Sequence, residues 1–103
     1  MQQCDRLSFN LGKLQNAADI LKVMGHPVRI QIIDLLKNGE KSVGEICSDL
    51  HLAQPYVSQQ LNLMKSKGII QARRQGNQVF YAIANFKVVE VIDCICDCIE
   101  KHL

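Results

Sequence analysis

Residues 42–68 read SVGEICSDLHLAQPYVSQQLNLMKSKG, and the spacing within this run decides the fold. Ser42 stands where a helix N-cap is expected, and Glu45 lies three residues later. In that capping-box pattern each side chain accepts a hydrogen bond from the other residue's backbone N–H. Val43, Ile46, Cys47 and Leu50 then fall on the inward face of a short helix. His51-Leu52-Ala53 reads as a three-residue turn. Pro55 sits near the start of a second helix running to Lys67, with Gly68 as the expected C-cap. Two helices joined in this way form a helix-turn-helix, which presents its second helix to a DNA major groove.

With Val57, Leu61 and Met64 facing inward, Gln54, Tyr56, Ser58, Gln59 and Asn62 point outward. All five carry uncharged hydrogen-bonding groups. Glutamine can pair bidentately with adenine, and serine can meet either a base edge or a phosphate. Any amphipathic helix has a polar outside, so this face alone does not choose a partner. The basic hairpin beyond it points to DNA. Ile69–Arg73 and Val79–Ile83 read as two strands, joined by the polar residues 74–78 with Gly76-Asn77 at the turn. Lys65 and Lys67 at the helix end, with Arg73, Arg74 and Gln78 in the hairpin, are placed to reach the DNA backbone or a narrow minor groove.

Outward from this centre, Leu14, Ala17, Ala18, Leu21 and Met24 recur at helical spacing. Gly25-His26-Pro27 interrupts that helix, and Pro27 opens the next, which carries Ile30, Ile32, Ile33, Leu35 and Leu36 as far as Asn38-Gly39. Phe86–Leu103 forms a last amphipathic helix striped by Val88, Ile92, Ile95 and Ile99. The expected architecture is mainly α with a small β-hairpin, a dimeric winged helix-turn-helix in the order ααααββα. It forms one domain over residues 1–103, with residues 1–12 as a flexible arm.

The chain of 103 residues is 48% apolar with a mean hydropathy of zero, as in a globular domain. No apolar run approaches the roughly 18 residues that span a bilayer, and Met1–Leu11 lacks the apolar core of a signal peptide. A cytoplasmic protein is expected, with no membrane partner. Its five cysteines, an odd number, fit reactive or metal-binding thiols better than a disulfide framework. The positive charge is concentrated in residues 41–85, with five Lys/Arg against two Asp/Glu, whereas residues 86–103 carry two against four. A basic middle suits contact with phosphate. An enzyme is disfavoured, because no glycine-rich phosphate loop, paired catalytic carboxylates or Cys-His arrangement can be placed.

The run Gly25-His26-Pro27-Val28-Arg29-Ile30, the segments Ser42–Ile46 and Gln54–Leu61, and Gly68-Ile69-Ile70 with Gly76–Tyr81 together resemble the ArsR/SmtB family of repressors. The resemblance covers residues 14–103. It implies a homodimer held by the first and last helices, operator DNA as partner, and repression relieved by a metal ion, metalloid or thiol-reactive species. Two sensor sites known in the family are missing. The positions of its Cys-x-Cys pair fall on Ser42 and Gly44, and those of its last-helix zinc site on Asn85, Lys87, Cys98 and Lys101.

The last helix instead carries Cys94-Ile95-Cys96-Asp97-Cys98. Cys94 and Cys98 lie one turn apart on one side, and Cys96 on the opposite flank of the apolar stripe. Three thiols so placed do not close on one ion while the helix stays regular. A soft centre would add Cys4 or a partner-chain cysteine, or would unwind the helix end. Trivalent arsenic or antimony, As(III) or Sb(III), fits three sulfurs, and one of these or another soft metal ion is the expected inducer, with no cofactor required. A persulfide or oxidation switch needs only two accessible thiolates and competes with it. A third reading is a winged-helix protein-interaction module without an inducer. Cys47, on an inward face, reads as a small core residue, and His26, His51 and His102 as structural or solvated.

Overall fold

A computed structural model of the chain describes residues 11–102, with side chains placed for 11–100. Helices α1 (Leu11–Met24) and α2 (Pro27–Leu36) are followed by strand β1 (Lys41–Ser42), then α3 (Val43–Leu50) and α4 (Gln54–Ser66). Strands β2 (Ile70–Gln75) and β3 (Gln78–Ile83) form the wing, and α5 (Lys87–His102) closes the order.

Local chemistry sets the boundaries. His26 caps α2, its Nδ1 accepting from the Val28 N–H at 3.3 Å, and Pro27 occupies the first turn, where a missing N–H costs nothing. The capping box of α3 is complete: the Glu45 N–H donates to Ser42 Oγ at 3.1 Å, and the Ser42 N–H to Glu45 Oε1 at 2.9 Å. His51 ends α3 in the left-handed region, φ 57°, which sharpens the turn into α4. After α4, Gly68 takes φ +76°. Its N–H donates to the Lys65 carbonyl at 3.0 Å, and that of Ile69 to the Met64 carbonyl at 3.1 Å, the paired bonds of a Schellman end.

The sheet is antiparallel with strand order β1-β3-β2. The two-residue turn Gly76-Asn77 has a positive φ at Gly76 only, the II′ pattern whose twist matches paired strands. Ile32, Ile33 and Leu36 of α2, Ile46 of α3, Val57, Leu61 and Met64 of α4, and Ile69 and Ile70 form the buried centre. Val88 and Ile92 dock α5 onto it.

The winged helix-turn-helix is as expected, with three differences. A third strand, β1, precedes α3, so the order is ααβααββα. Lys41 and Ser42 pair with Tyr81 and Phe80, a partnership made by β3 rather than by any pattern in two residues. Both hairpin strands run further than their apolar stretches, because the ladder pairs Arg74 with Val79 and Gln75 with Gln78. Helix α1 begins at Leu11, which takes two residues from the expected arm; the rest of that arm, with Cys4, lies outside the described residues. Leu14, Leu21, Ile95 and Ile99 are exposed in the single protomer. No helix among the described residues is long and apolar enough to cross a membrane.

Candidate nucleic-acid interface and thiol cluster

Helix α4 is seated by its buried residues Val57, Gln60, Leu61 and Met64. Gln60 is the polar member of that set, and it is satisfied: its Oε1 accepts from Arg29 Nε at 2.8 Å. Arg29 also donates from Nη1 to the Val23 carbonyl at 3.3 Å. One guanidinium of α2 therefore ties the end of α1 to α4, and the angle of α4 is fixed by hydrogen bonds as well as packing. On the outer side Gln54, Tyr56, Gln59, Asn62 and Lys65 are exposed, and Ser58 is half-buried. Residues 54–66 contain no acidic side chain that would repel a phosphate.

The wing extends this surface. Alternation along β2 and β3 places Ala72, Arg74, Val79 and Tyr81 on one face of the sheet. With Asn62 and Lys65 of α4, and with Arg73 between Ala72 and Arg74, these residues line a groove of ≈ 360 Å³. Gln71, Arg73, Gln75, Gln78 and Phe80 belong to the other face. The side chains of the two arginines expected to act together thus leave opposite faces of β2, although Arg73 also borders the α4 groove.

Arg73 is engaged within the protein. Its Nε donates to Glu40 at 3.2 Å (Oε1) and 3.0 Å (Oε2), its Nη2 contacts Oε1, and its Nη1 donates to Gln75 Oε1 at 2.7 Å. The guanidinium lies 4.8 Å from the centroid of the Phe80 ring. The hydrogen bond from Arg73 holds the Glu40 carboxyl below its ordinary value, against the opposing effect of desolvation, and Arg73 is raised in return. Gln78 is exposed beside the turn.

Cys94, Cys96 and Cys98 are exposed free thiols, and Cys47 is half-buried against the core. Cys94 and Cys96 line a groove of ≈ 800 Å³ between α2 and α5, together with Asp34, Lys37, Asp93 and Asp97. That lining joins two thiols on different flanks of α5 and leaves out Cys98. Lys37 crosses the groove, with Nζ 2.9 Å from Asp34 and 3.6 Å from Asp93. Its pKa is raised, chiefly by the hydrogen bond to Asp34. Among the described residues, no three His, Cys, Asp or Glu side chains are grouped so as to hold a metal ion. Sequence reasoning did not find Glu40, Gln60 or Lys37. Each acts through a partner on another element, and no local pattern marks such a partner.

A reading helix seated against a basic hairpin defines a winged helix-turn-helix DNA-binding protein. Residues 26–72 match the family described as bacterial regulatory protein, arsR family. A biofilm growth-associated repressor of Xylella fastidiosa is 34% identical over 83 residues, 81% of this chain and 73% of the relative. An uncharacterised HTH-type transcriptional regulator of Methanocaldococcus jannaschii is 39% identical over 84 residues, 81% of this chain and 94% of the relative. Among solved structures, the homodimeric winged helix-turn-helix DNA-binding domain of a possible ArsR-family regulator from Mycobacterium bovis superposes with a TM-score of 0.79. It is 30% identical, over 88% of this chain and 84% of that one. The chain belongs to the arsR family of bacterial regulatory proteins, whose members are DNA-binding transcriptional regulators and not enzymes.

Proposed function

We propose that the protein is a cytoplasmic homodimeric repressor that binds operator DNA and is released by an inducer captured on its last-helix thiols. The observation that carries the DNA assignment is the outer side of α4, where Gln54, Tyr56, Gln59, Asn62 and Lys65 are exposed without an acidic neighbour on the helix. Gln59 and Ser58 would read base edges, while Lys65 and Arg74 meet phosphates on either side of the groove they share. Gln78 would touch the backbone from the wing tip.

The dimer is supported by exposed apolar residues on two helices: Leu14 and Leu21 on α1, and Val91, Ile95 and Ile99 on α5. A partner protomer would cover them, and the spacing of the two reading helices would follow from that packing. The homodimeric M. bovis domain accords with this.

Cys94, Cys96 and Cys98 are the inducer residues in this reading, with As(III) or Sb(III) as the ligand. Arsenous acid condenses with three thiols to give an As(SR)₃ centre and three waters. The thiols of one α5 do not converge, so the third sulfur comes from the partner protomer or from a loosened helix end. A second reading, persulfidation or oxidation, is favoured by the exposure of all three thiols, since it needs no common centre. The test is a titration of the reduced protein on its own promoter fragment with As(III), Sb(III), Cd(II), Zn(II) and polysulfide, read as DNA release. Release by the metalloids supports the first reading and release by polysulfide alone the second. Failure to bind the fragment in a salt-dependent manner would remove the DNA assignment itself.

A further inference from the structure

We infer that Glu40 withholds Arg73 from the DNA backbone and so sets the sequence-independent share of the protein's affinity for DNA. The inference rests on the reading of the wing as a DNA-contacting element. Arg73 and Glu40 stand on opposite sides of β3: Arg73 is on β2, and Glu40 immediately precedes β1 in the order β1-β3-β2. To reach the carboxylate, the Arg73 side chain crosses the sheet over Phe80, its strand partner.

Three of the five N–H groups of the guanidinium are bonded there. Its Nε and Nη2 form a fork on the Glu40 carboxylate, its Nη1 is held by Gln75, and one π-face rests on Phe80. A bidentate fork fits a carboxylate or a phosphate diester equally well, but serves one at a time. A phosphate taking the Nε/Nη2 fork would have to displace Glu40, and a neutral ion pair contributes no net cation for exchange with condensed counterions. Arg74 presents the contrast. Its side chain sits on the α4 face of the wing and, among the described residues, makes no hydrogen bond or ion pair. Of two adjacent arginines, one is offered to phosphate and the other restrained.

An exposed pair of this kind adds little to stability, so the carboxylate can be neutralised without losing the fold. The experiment measures binding to a random-sequence duplex against salt concentration. Glu40→Gln is expected to tighten binding several-fold and to steepen the log–log salt slope by about 0.9, the value of one added phosphate contact. Arg73→Gln alone should leave the slope unchanged, and Glu40→Gln with Arg73→Gln should return both slope and affinity to wild type. The inference is overturned if Glu40→Gln leaves the slope unaltered, or if Arg73→Gln alone lowers it. It is also overturned if the double variant keeps the gain, because the effect would then be the field of the carboxylate and not the release of Arg73. Arg74→Ala tests the underlying reading separately, since an unchanged slope in that variant would mean the wing does not touch the backbone. Should Glu40→Gln fold poorly by circular dichroism, Arg73→Gln alone still decides the question.

Discussion

Lys37 lies 3.6 Å from Asp93, and through this contact the end of α2 is joined to the helix that bears the thiols, one residue before Cys94. The same ammonium sits 2.9 Å from Asp34 on its own helix, so it bridges two carboxylates across the α2–α5 groove. Three residues after Lys37 comes Glu40, the partner of Arg73 in the wing. A displacement of α5 therefore has a short physical route to the DNA-binding half. Asp93→Asn is expected to fold and to bind operator near wild-type strength, because exposed ion pairs contribute little. It should blunt the loss of DNA affinity caused by inducer. Fluorescence anisotropy with and without As(III) measures both, and an unchanged release ratio would rule out this route.

Sequence reading by α4 makes a separate claim. Gln59 is exposed at the centre of the outer face. Gln59→Ala should cost about 1–3 kcal/mol on operator and little on random DNA, the pattern of a lost base contact. Arg74→Ala should weaken binding to both and flatten the salt slope. Equal losses on the two DNAs for Gln59→Ala would show that this residue does not read bases.

The bond from Arg29 to Gln60 predicts a stability effect within the same helix. Gln60 is 8% exposed, and Gln60→Ala removes the acceptor of a charged donor. Such a loss typically costs about 1.5–3 kcal/mol, to be measured by urea unfolding. Operator affinity should fall as well, because α4 loses a contact that sets its angle. An effect below measurement error would mean that water replaces the acceptor without penalty.

This residue also marks where the sequence stops being legible. The capping box of Ser42 and Glu45 could be read because both bonds close within four residues, and the Schellman end at Gly68 because it needs one particular φ. Arg29 and Gln60 are 31 residues apart, and nothing in either neighbourhood shows that they meet. In the sequence Arg73 and Arg74 read together as backbone contacts, although alternation along a strand sends neighbouring side chains to opposite faces. Only the packing of the sheet on α4 determines which face meets DNA and which meets Glu40. Ile95 is a different case: an apolar stripe looks the same whether its own protomer or another covers it, and it is the family resemblance that points to a second copy.

Ile95, 52% exposed, tests that last point. Ile95→Glu leaves the protomer core untouched and should preserve its helical circular dichroism. In the proposed dimer it places a buried charge on each side of the two-fold seam, which is costly without a partner. Monomers that no longer bind operator are expected in sedimentation at micromolar concentration. An intact dimer would place the interface elsewhere.

The thiols permit the most discriminating experiment. Cys94 lines the α2–α5 groove, whereas Cys98, a turn further on, stands beside the exposed stripe of Val91 and Ile95. A ligand drawing on both would bridge the groove and the seam. It would disturb α5 where Lys37 ties the helix to α2 and where the partner protomer would rest. Because all three α5 thiols are exposed, serine in their place should cost little in packing. Cys94→Ser and Cys98→Ser should each keep operator affinity within a few-fold yet abolish release by inducer. Cys47 packs against the core, so Cys47→Ser should lower stability mildly and leave release intact. Release is measured by anisotropy on the promoter fragment, and stability by urea unfolding. If the Cys94→Ser/Cys98→Ser double variant still lets go of DNA with As(III), Sb(III) and polysulfide, the sensor is not on this helix.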